Sequence, residues 1–301
     1  MLSFKHEVFF EVARLKSFTT ASQVLYISQP AISRNIKELE SEYKESLFER
    51  KGNSISLTEA GQIVFNSLLK ARSIEKQLQY DMSILHDQYK AKGELKLGAS
   101  TTVALYIIPS ILSGFHQKHQ YVTISLLNRN SETVLQALLA HEIDLGIIEG
   151  RNKLPRVKSE HFLTDEVVAV CSPRNPISKK QKLRLTEVVK QPIALRENGS
   201  GTLAALKHAL TLHRIKLADL KVNVRLGGTE ALKNFIVADA CIGFLPVRSV
   251  ANELANGDLV QLNIDKLSIT RQFYFIQRHG DEGHGLCNAF IKFSKAHYNI
   301  K

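Results

Sequence analysis

The sequence lacks several features that would place it in a membrane, on a secretory route or in a metal-dependent class. It has no run of about 18 apolar residues, so we predict no membrane-spanning helix. Residues 1–7 have no basic region followed by an apolar core, so we expect no signal peptide and a cytoplasmic protein. The three cysteines, Cys171, Cys241 and Cys287, are too widely spaced to form a metal-binding pattern.

The sequence is also poor in enzyme signatures. It has no recognisable nucleophile motif, metal-ligand cluster or phosphate-binding loop, and its 11 histidines are scattered, mostly in polar stretches such as residues 116–119. An enzyme is therefore disfavoured, and we expect no cofactor. The 301 residues, 44% apolar and 23% charged, are enough for two or three folded domains.

The net charge of +11 does not by itself indicate a nucleic-acid-binding protein. Residues 1–62 have 8 basic and 8 acidic side chains, residues 63–92 have 5 and 3, and residues 93–301 have 27 and 18. The basic excess therefore lies mainly in the last two-thirds of the chain. There it favours solubility or attraction of anionic effectors.

Residues 18–40 have the pattern of two short helices joined by a tight turn. Thr20 and Gln23 have the spacing of a capping box, which predicts the start of the first helix. Ser28 is a good N-cap for the second helix. Pro30 fits the first turn of that helix, where its missing N–H costs nothing.

The second helix has an apolar face and a polar face. Ile32, Ile36 and Leu39 recur at helical spacing and should face inward. The polar face suits the DNA major groove, because Arg and Gln contact base edges while Ser and Lys hold phosphates. An ordinary helical hairpin with a solvated polar face is the alternative. The outward-facing residues are Gln29, Ser33, Arg34 and Lys37.

Through these residues and their flanks the sequence resembles the LysR-type transcriptional regulators. The order and spacing agree with the family pattern, with one departure at Tyr43-Lys44, where the family usually has Leu-Gly. The resemblance implies a regulator that binds a double-stranded DNA operator. The matching residues are Ser17-Phe18-Thr19, Ala21, Leu25, Ser28 to Ser33, Ile36, Leu39-Glu40, Leu47 to Arg50 and Leu57 to Gly61.

The segment after the second helix looks like the wing of a winged helix–turn–helix. Residues 49–57 fit a small β-hairpin that turns at Gly52-Asn53. Arg50 and Lys51 would then lie near the backbone of the flanking DNA. The predicted DNA-binding residues are Thr19, Gln29, Pro30, Ser33, Arg34, Lys37, Arg50 and Lys51.

A long helix is predicted from residue 59 to about residue 92. Its apolar positions alternate four and three residues apart, which is a coiled-coil seam weakened at Ala71 and Glu75. A helix lying on its own domain is the alternative, but its other faces are polar, so we predict a homodimer. The resemblance implies a tetramer, and RNA polymerase is a further candidate partner. The seam positions are Val64, Leu68, Ala71, Glu75, Leu78, Met82, Leu85 and Tyr89.

From Gly93 onward short β segments alternate with helices, which is typical of parallel α/β units. The interruptions predict two lobes, between which the chain crosses near residues 160–165 and 265–270. Among the predicted elements are a helix over residues 102–116 and strands over residues 167–171 and 273–276.

This C-terminal part resembles the LysR effector domain, which is similar to periplasmic solute-binding proteins. A free-standing solute-binding protein is opposed by the DNA-reading segment, and an architectural DNA binder would leave the two lobes unexplained. The fold class is α/β overall, in three parts. These are a winged helix–turn–helix (1–58), a linker helix (59–92) and a two-lobed effector domain (93–301), with lobe I at about 93–162 and 268–301 and lobe II at about 163–267.

Two strand ends have the chemistry of an anion site. Ser100 to Thr102 and Glu197 to Thr202 each follow a strand and open a helix, and they offer hydroxyls and the positive end of a helix dipole. Two well-capped helix starts are the alternative. Glu149, at another strand end, would repel an anion but accept from a ligand hydroxyl or amine; Arg129, Arg151 and Arg196 are candidates to neutralise it.

The sequence thus predicts a regulator that responds to a small anionic metabolite in the cleft between the lobes. The alternative is a redox sensor that uses Cys171 or Cys241, although a buried cysteine is more often part of a core. The predicted ligand-binding residues are Ser100, Thr101, Thr102, Ser131, Glu149, Gly199, Ser200, Thr202 and Thr229.

Overall fold

The computed structural model describes residues 3–51, 54–86, 92–150, 156–281 and 285–300. The chain divides into two compact units, with the division between Gln79 and Tyr80. In the described part of the chain, no helix is long and apolar enough to cross a membrane.

The first unit contains four helices and a two-stranded antiparallel hairpin. The predicted capping box at Thr20 is wrong: the Ser17 hydroxyl accepts the hydrogen bond from the Thr20 N–H at 3.1 Å. Ser28 is confirmed as the N-cap of the second helix of the motif. The elements are α1 (Phe4–Leu15), α2 (Phe18–Leu25), α3 (Gln29–Tyr43), β1 (Phe48–Lys51), β2 (Ser54–Leu57) and α4 (Glu59–His86).

The core of the first unit fixes the orientation of α3. Ile32, Ile36 and Leu39 are buried with Val8 and Phe9 of α1, as their spacing predicts. Because these three residues occupy one side of α3, its other side is left for solvent.

The linker helix α4 is packed against its own domain in one part and exposed in another. Val64 and Leu68 pack into the core of the first unit, so that stretch lies on its own domain, and its assignment to a dimer seam is wrong. Further along, Leu78, Met82 and Leu85 expose at least half of their surface. The last predicted seam position, Tyr89, lies outside the described residues.

The second unit is built on one nine-stranded mixed sheet, with strand order β4-β3-β5-β11-β6-β9-β7-β8 and β10 paired with β6. Strands β3, β4 and β5 run parallel on one side, as do β7, β8 and β9 on the other. The strands are β3 (Gly93–Ser100), β4 (Val122–Arg129), β5 (Leu145–Glu149), β6 (Val157–Cys171), β7 (Ile193–Arg196), β8 (Val222–Leu226), β9 (Ile242–Pro246), β10 (Val260–Gln261) and β11 (Ile269–Arg278).

Helices pack against both halves of the sheet. We name the part around β3, β4 and β5 lobe I and the part around β7, β8 and β9 lobe II. The α-helices are α5 (Thr101–Tyr106), α6 (Ile108–Lys118), α7 (Ser131–Leu139), α8 (Leu185–Val188), α9 (Gly201–Leu212), α10 (Thr229–Ala238), α11 (Val247–Asn256) and α12 (Gly285–His297).

The long antiparallel strands β6 and β11 connect the lobes. On β6, Phe162 belongs to the lobe I core and Val167 to the lobe II core. On β11 the same change occurs between Ile269 and Phe273. The crossing on β11 lies a few residues beyond the predicted 265–270, because Val167 pairs with Ile269 in the sheet register.

Three predicted elements need correction. The helix predicted over 102–116 is two helices, α5 and α6, because Ile107 is at once the C-cap of α5 and the N-cap of α6, and Pro109 lies in the first turn of α6. The strand predicted over 167–171 begins at Val157, and the strand predicted over 273–276 begins at Ile269.

Candidate functional site

The exposed side of α3 carries the predicted DNA-reading residues. Gln29, Pro30, Arg34 and Lys37 are exposed and Ser33 is half-buried, while Thr19 is exposed on α2. The one charge partner described for Arg34 is Glu38, one helical turn on, whose Oε1 accepts from Nε at 2.9 Å. With 81% of its side chain exposed, Arg34 is available to a base edge.

Two details position this helix and its wing. Lys44 ends α3 in the left-handed region (φ 55°), the conformation that the glycine usual in the family would adopt more easily. Arg50 and Lys51 lie on the hairpin strand β1, opposite Ile55 and Ser54. Their side chains, and the predicted turn at residues 52–53, lie outside the described residues.

In the second unit the candidate site is a buried charge cluster where the crossing strands meet both lobes. Arg271 of β11 faces its register partner Asp165 of β6 and donates to Oδ2 from Nε at 3.0 Å and Nη2 at 2.6 Å. Its Nη1 lies 2.8 Å from Glu149 Oε1 of lobe I and donates to Thr202 Oγ1 of lobe II at 2.8 Å. We call Arg271, Asp165, Glu149 and Thr202 the cleft cluster.

Lobe I supplies two of the predicted hydroxyls to Glu149. The Ser100 hydroxyl donates to Glu149 Oε1 at 3.3 Å, and the Glu149 N–H donates to Ser131 Oγ at 3.3 Å. Two buried oxygens, Glu149 Oε2 and Thr102 Oγ1, have no hydrogen-bond partner within the described residues. A buried polar atom without a partner is a candidate contact for a ligand or a water molecule.

Lobe II closes over Glu149 with a glycine-containing turn. Gly199 has φ +81°, which favours glycine, and its neighbour Ser200 is the N-cap of α9. A Cβ atom on Gly201 would lie 1.9 Å from Glu149 Oε2, so only glycine lets the start of α9 approach that carboxylate. The turn and Glu149 line a cavity of about 320 Å³.

The guanidinium paired with Glu149 is that of Arg271, and the expectation for Arg196 is wrong. Buried Arg196 donates to Glu197 Oε2 at 2.8 Å and to Thr229 Oγ1 at 2.7 Å. Burial raises the pKa of Glu197, but Arg196 and the Gly228 N–H outweigh it and hold that pKa below its usual value. Thr229 thus belongs to a separate network of lobe II.

The other predicted residues take less central places. Arg129 donates to the Asn128 carbonyl from an exposed position, and Arg151 lies outside the described residues. Thr101, the first residue of α5, is half-buried. Buried Ser200 makes no capping bond with its side chain in the described structure.

The prediction missed Arg271 and Asp165, which are central to the cleft cluster. Alternation along the strand could have identified Arg271 as buried. Ile269, Arg271 and Phe273 are alternate buried positions of β11. A charge at a buried phase of a strand needs a buried partner. The sequence alone does not identify a partner that lies 106 residues away in the chain.

Cys171 and Cys241 lack the features of reactive thiols. Cys171 and Cys241 are buried, in two different apolar clusters of lobe II. Burial raises the pKa of Cys171 to about 11. Burial, reinforced by Asp239, raises the pKa of Cys241 to about 12. Because the thiolate is the reactive form, these values oppose the redox-sensor alternative.

Comparison with known proteins matches both units. Residues 90–299 match the family model of the LysR substrate binding domain, and residues 5–62 match that of the bacterial regulatory helix-turn-helix protein, lysR family. The HTH-type transcriptional activator CmpR of Synechocystis is 31% identical over 291 residues, which cover 97% of this chain and 94% of CmpR.

Two solved structures are similar as well. The regulatory domain of Synechocystis CcmR in complex with 2-PG is 27% identical, with a TM-score of 0.61 over 68% of this chain and 97% of that one. Full-length CbnR complexed with its target DNA is 20% identical, with a TM-score of 0.64 over 98% and 99% of the two chains, and it supports the fold alone. The chain therefore belongs to the LysR family of DNA-binding transcriptional regulators.

Proposed function

We propose that this regulator responds to a small anionic metabolite bound at the cleft cluster. The observation that carries the proposal is the buried Arg271 guanidinium, which reaches Glu149 of lobe I and Thr202 of lobe II at 2.8 Å each. Because Arg271 contacts both lobes, an anion bound beside it would affect how the lobes pack. The unsatisfied Glu149 Oε2 favours a ligand that carries a hydrogen-bond donor.

The start of α9 supports the anionic character of this effector. Ser200 and Gly201 at this helix start line the same cavity as Glu149, and Ser200 makes no side-chain capping bond within the described structure. The first-turn N–H groups and the positive end of the helix dipole favour an anion there. The adjacent cavity of about 320 Å³ suits a ligand of a few heavy atoms. CcmR, bound to 2-phosphoglycolate, makes a small phosphate-bearing carboxylate a sensible first probe.

On the DNA side, we infer that Gln29, Ser33 and Arg34 read bases in the major groove or position the helix there, with Pro30 fixing the helix start. Thr19, Lys37, Arg50 and Lys51 would hold the phosphate backbone. The exposed apolar end of α4 supports a dimer, in which two copies meet two half-sites of an operator. Tetramer formation, contact with RNA polymerase and a cytoplasmic location follow from this role and are part of the proposal.

The proposed mechanism couples the two units by differential binding. An anion that pulls the lobes together repacks β6 and β11, the two strands that cross between them. The effector regulates DNA binding only if it prefers one arrangement of the lobes, and DNA must then favour the same arrangement.

A thermal-shift screen of the full-length protein against small anions, including 2-phosphoglycolate, tests the proposal. An anion at 100 times its dissociation constant stabilises the protein by about 2.7 kcal/mol. The double substitution Ser100→Ala, Thr202→Ala should remove that shift, while Ser113→Ala, at an exposed position of α6, should retain it. A shift that survives the double substitution would place the effector elsewhere.

A further inference from the structure

We propose that Glu149 selects the effector: the cleft accepts anions that also carry a hydrogen-bond donor and rejects anions that carry none. The inference rests on the proposed function, since it concerns the anion that binds at the cleft cluster. It names the chemical class as protonated oxyanions and hydroxy acids, such as hydrogen phosphate, singly protonated phosphate esters and 2-hydroxycarboxylates.

The first observation is that only one of the two Glu149 carboxylate oxygens has partners. Oε1 accepts from Ser100 and pairs with Arg271, whereas Oε2 is buried and has no partner within the described residues. The Glu149 side chain is only 5% exposed, so bulk water does not solvate this oxygen. A buried carboxylate oxygen can only accept a hydrogen bond, and leaving it unsatisfied is costly.

The second observation places that oxygen at the anion site itself. A Cβ atom on Gly201 would lie 1.9 Å from Oε2, so Oε2 touches the first turn of α9. An anion that binds the N–H groups of this turn therefore comes into contact with the Glu149 carboxylate. If the anion has no proton to donate, two negative oxygens face each other in a buried site. If it has one, the same contact becomes a charge-assisted hydrogen bond.

The third observation is that the cluster cannot neutralise Glu149 fully. Arg271 serves two carboxylates, and its shorter contact, 2.6 Å, is with Asp165. The second cation near Asp165 is Arg248, at 3.4 Å and with 40% of its side chain exposed. Glu149 therefore keeps negative charge toward the cavity, which it lines.

Inorganic phosphate and sulfate are matched probes for this idea. Both are tetrahedral oxyanions of similar size, but at neutral pH phosphate keeps at least one O–H and sulfate has none. We expect the full-length protein to bind phosphate about 10- to 100-fold more tightly than sulfate, the effect of one hydrogen bond to a charged acceptor. Isothermal titration at constant ionic strength gives both dissociation constants.

The substitution Glu149→Gln keeps the size of the side chain, removes its charge and adds N–H donors. It should bring the phosphate-to-sulfate ratio of affinities close to one. The ratio is the readout, because the loss of one negative charge strengthens the binding of both anions, whereas only phosphate loses its hydrogen bond to the carboxylate. Glu166→Gln removes the same charge at an exposed position of β6 and should leave the ratio at its wild-type value.

Equal affinity of the wild-type protein for the two anions would overturn the inference, as would a preference for phosphate that survives in Glu149→Gln. Either result leaves the proposal of an anionic effector intact if the metabolite screen has found such an effector. Failure of both anions to bind either protein also overturns the inference, and the metabolite screen then decides separately on the proposed function.

Discussion

Arg271 is the residue on which the electrostatics of the cleft depend. Its guanidinium is 2% exposed and separates two buried carboxylates, Glu149 and Asp165. Substitution of Arg271 by Met keeps the length of the side chain but leaves both carboxylates without their common partner. We expect the free energy of unfolding to fall by about 3–5 kcal/mol, measured by urea denaturation with circular dichroism.

Arg248→Met is the matched control for that prediction. Arg248 approaches the same Asp165, at 3.4 Å, but 40% of its side chain is exposed. Its loss should change the stability by about 1 kcal/mol or less, because solvent screens an exposed pair. Equal losses in the two variants would mean that the burial of Arg271 does not determine its contribution.

The two buried cysteines should resist oxidation. With pKa values of about 11 and about 12, roughly one thiol in ten thousand or fewer is ionised at pH 7. Because both pKa values are raised, reactivity should increase only as the pH rises toward them. Thiol counting after peroxide treatment at pH 7 should find Cys171 and Cys241 reduced, and half-buried Cys287 is the internal comparison. Oxidation of Cys171 or Cys241 before Cys287 would revive the redox sensor.

Among the elements, α3 determines sequence recognition in this account. Substitution of Arg34 by Ala should weaken binding to a selected operator by about 1–3 kcal/mol and relax the preference at one base pair. Electrophoretic mobility shifts with selected and random DNA measure both effects. Lys70→Ala, at an exposed position of α4, is the control and should change neither. An equal loss on random DNA would reassign Arg34 to the phosphate backbone.

The two parts of α4 should respond differently to substitution. Leu68 is 4% exposed in the core of the first unit, so Leu68→Ala should cost that unit about 2–5 kcal/mol of stability. Leu78 is 59% exposed, so Leu78→Asp should leave the fold intact and separate the proposed dimer. Light scattering and thermal unfolding distinguish these outcomes. A Leu78→Asp variant that remains dimeric would contradict the α4 interface.

An element is easier to predict when the residues that contact one another lie close together in the chain. Periodicity within one helix was sufficient to predict the inward-facing Ile32, Ile36 and Leu39. It could not separate the part of α4 that packs on its own domain from the exposed part, because both have the same spacing. Arg271 and Asp165 could not be paired from the sequence, because sheet register brings together strands that are distant in the chain.

At the scale of the whole molecule, the sequence identified hydroxyl groups at strand ends and helix starts but not the charged partners that meet them in the fold. Ser100, Ser131 and Thr202 were predicted from strand ends and helix starts, and the structure places all three within reach of Glu149 or Arg271. Arg196 was one of three candidates to neutralise Glu149, but it pairs with its own neighbour Glu197 instead. Local pattern identifies available groups, and only the fold determines which of them meet.

The crossing strands β6 and β11 connect the cleft to the cores of both lobes. Each has residues in both lobe cores, so a change in how the lobes pack must pass through them. Asp165 and Arg271, which are register partners, lie where the two strands change lobes. An anion bound at the cleft cluster, as proposed, would therefore act on the two strands that join the lobes.

The most direct test of the account is the affinity of the full-length protein for its selected operator with and without a bound anion from the screen. We predict that the anion changes the affinity or the protected length of DNA in the wild-type protein. The Ser100→Ala, Thr202→Ala variant should bind the operator normally but show no such change. An identical response in wild type and variant, or no response of the wild-type protein to any anion that binds it, would contradict the account.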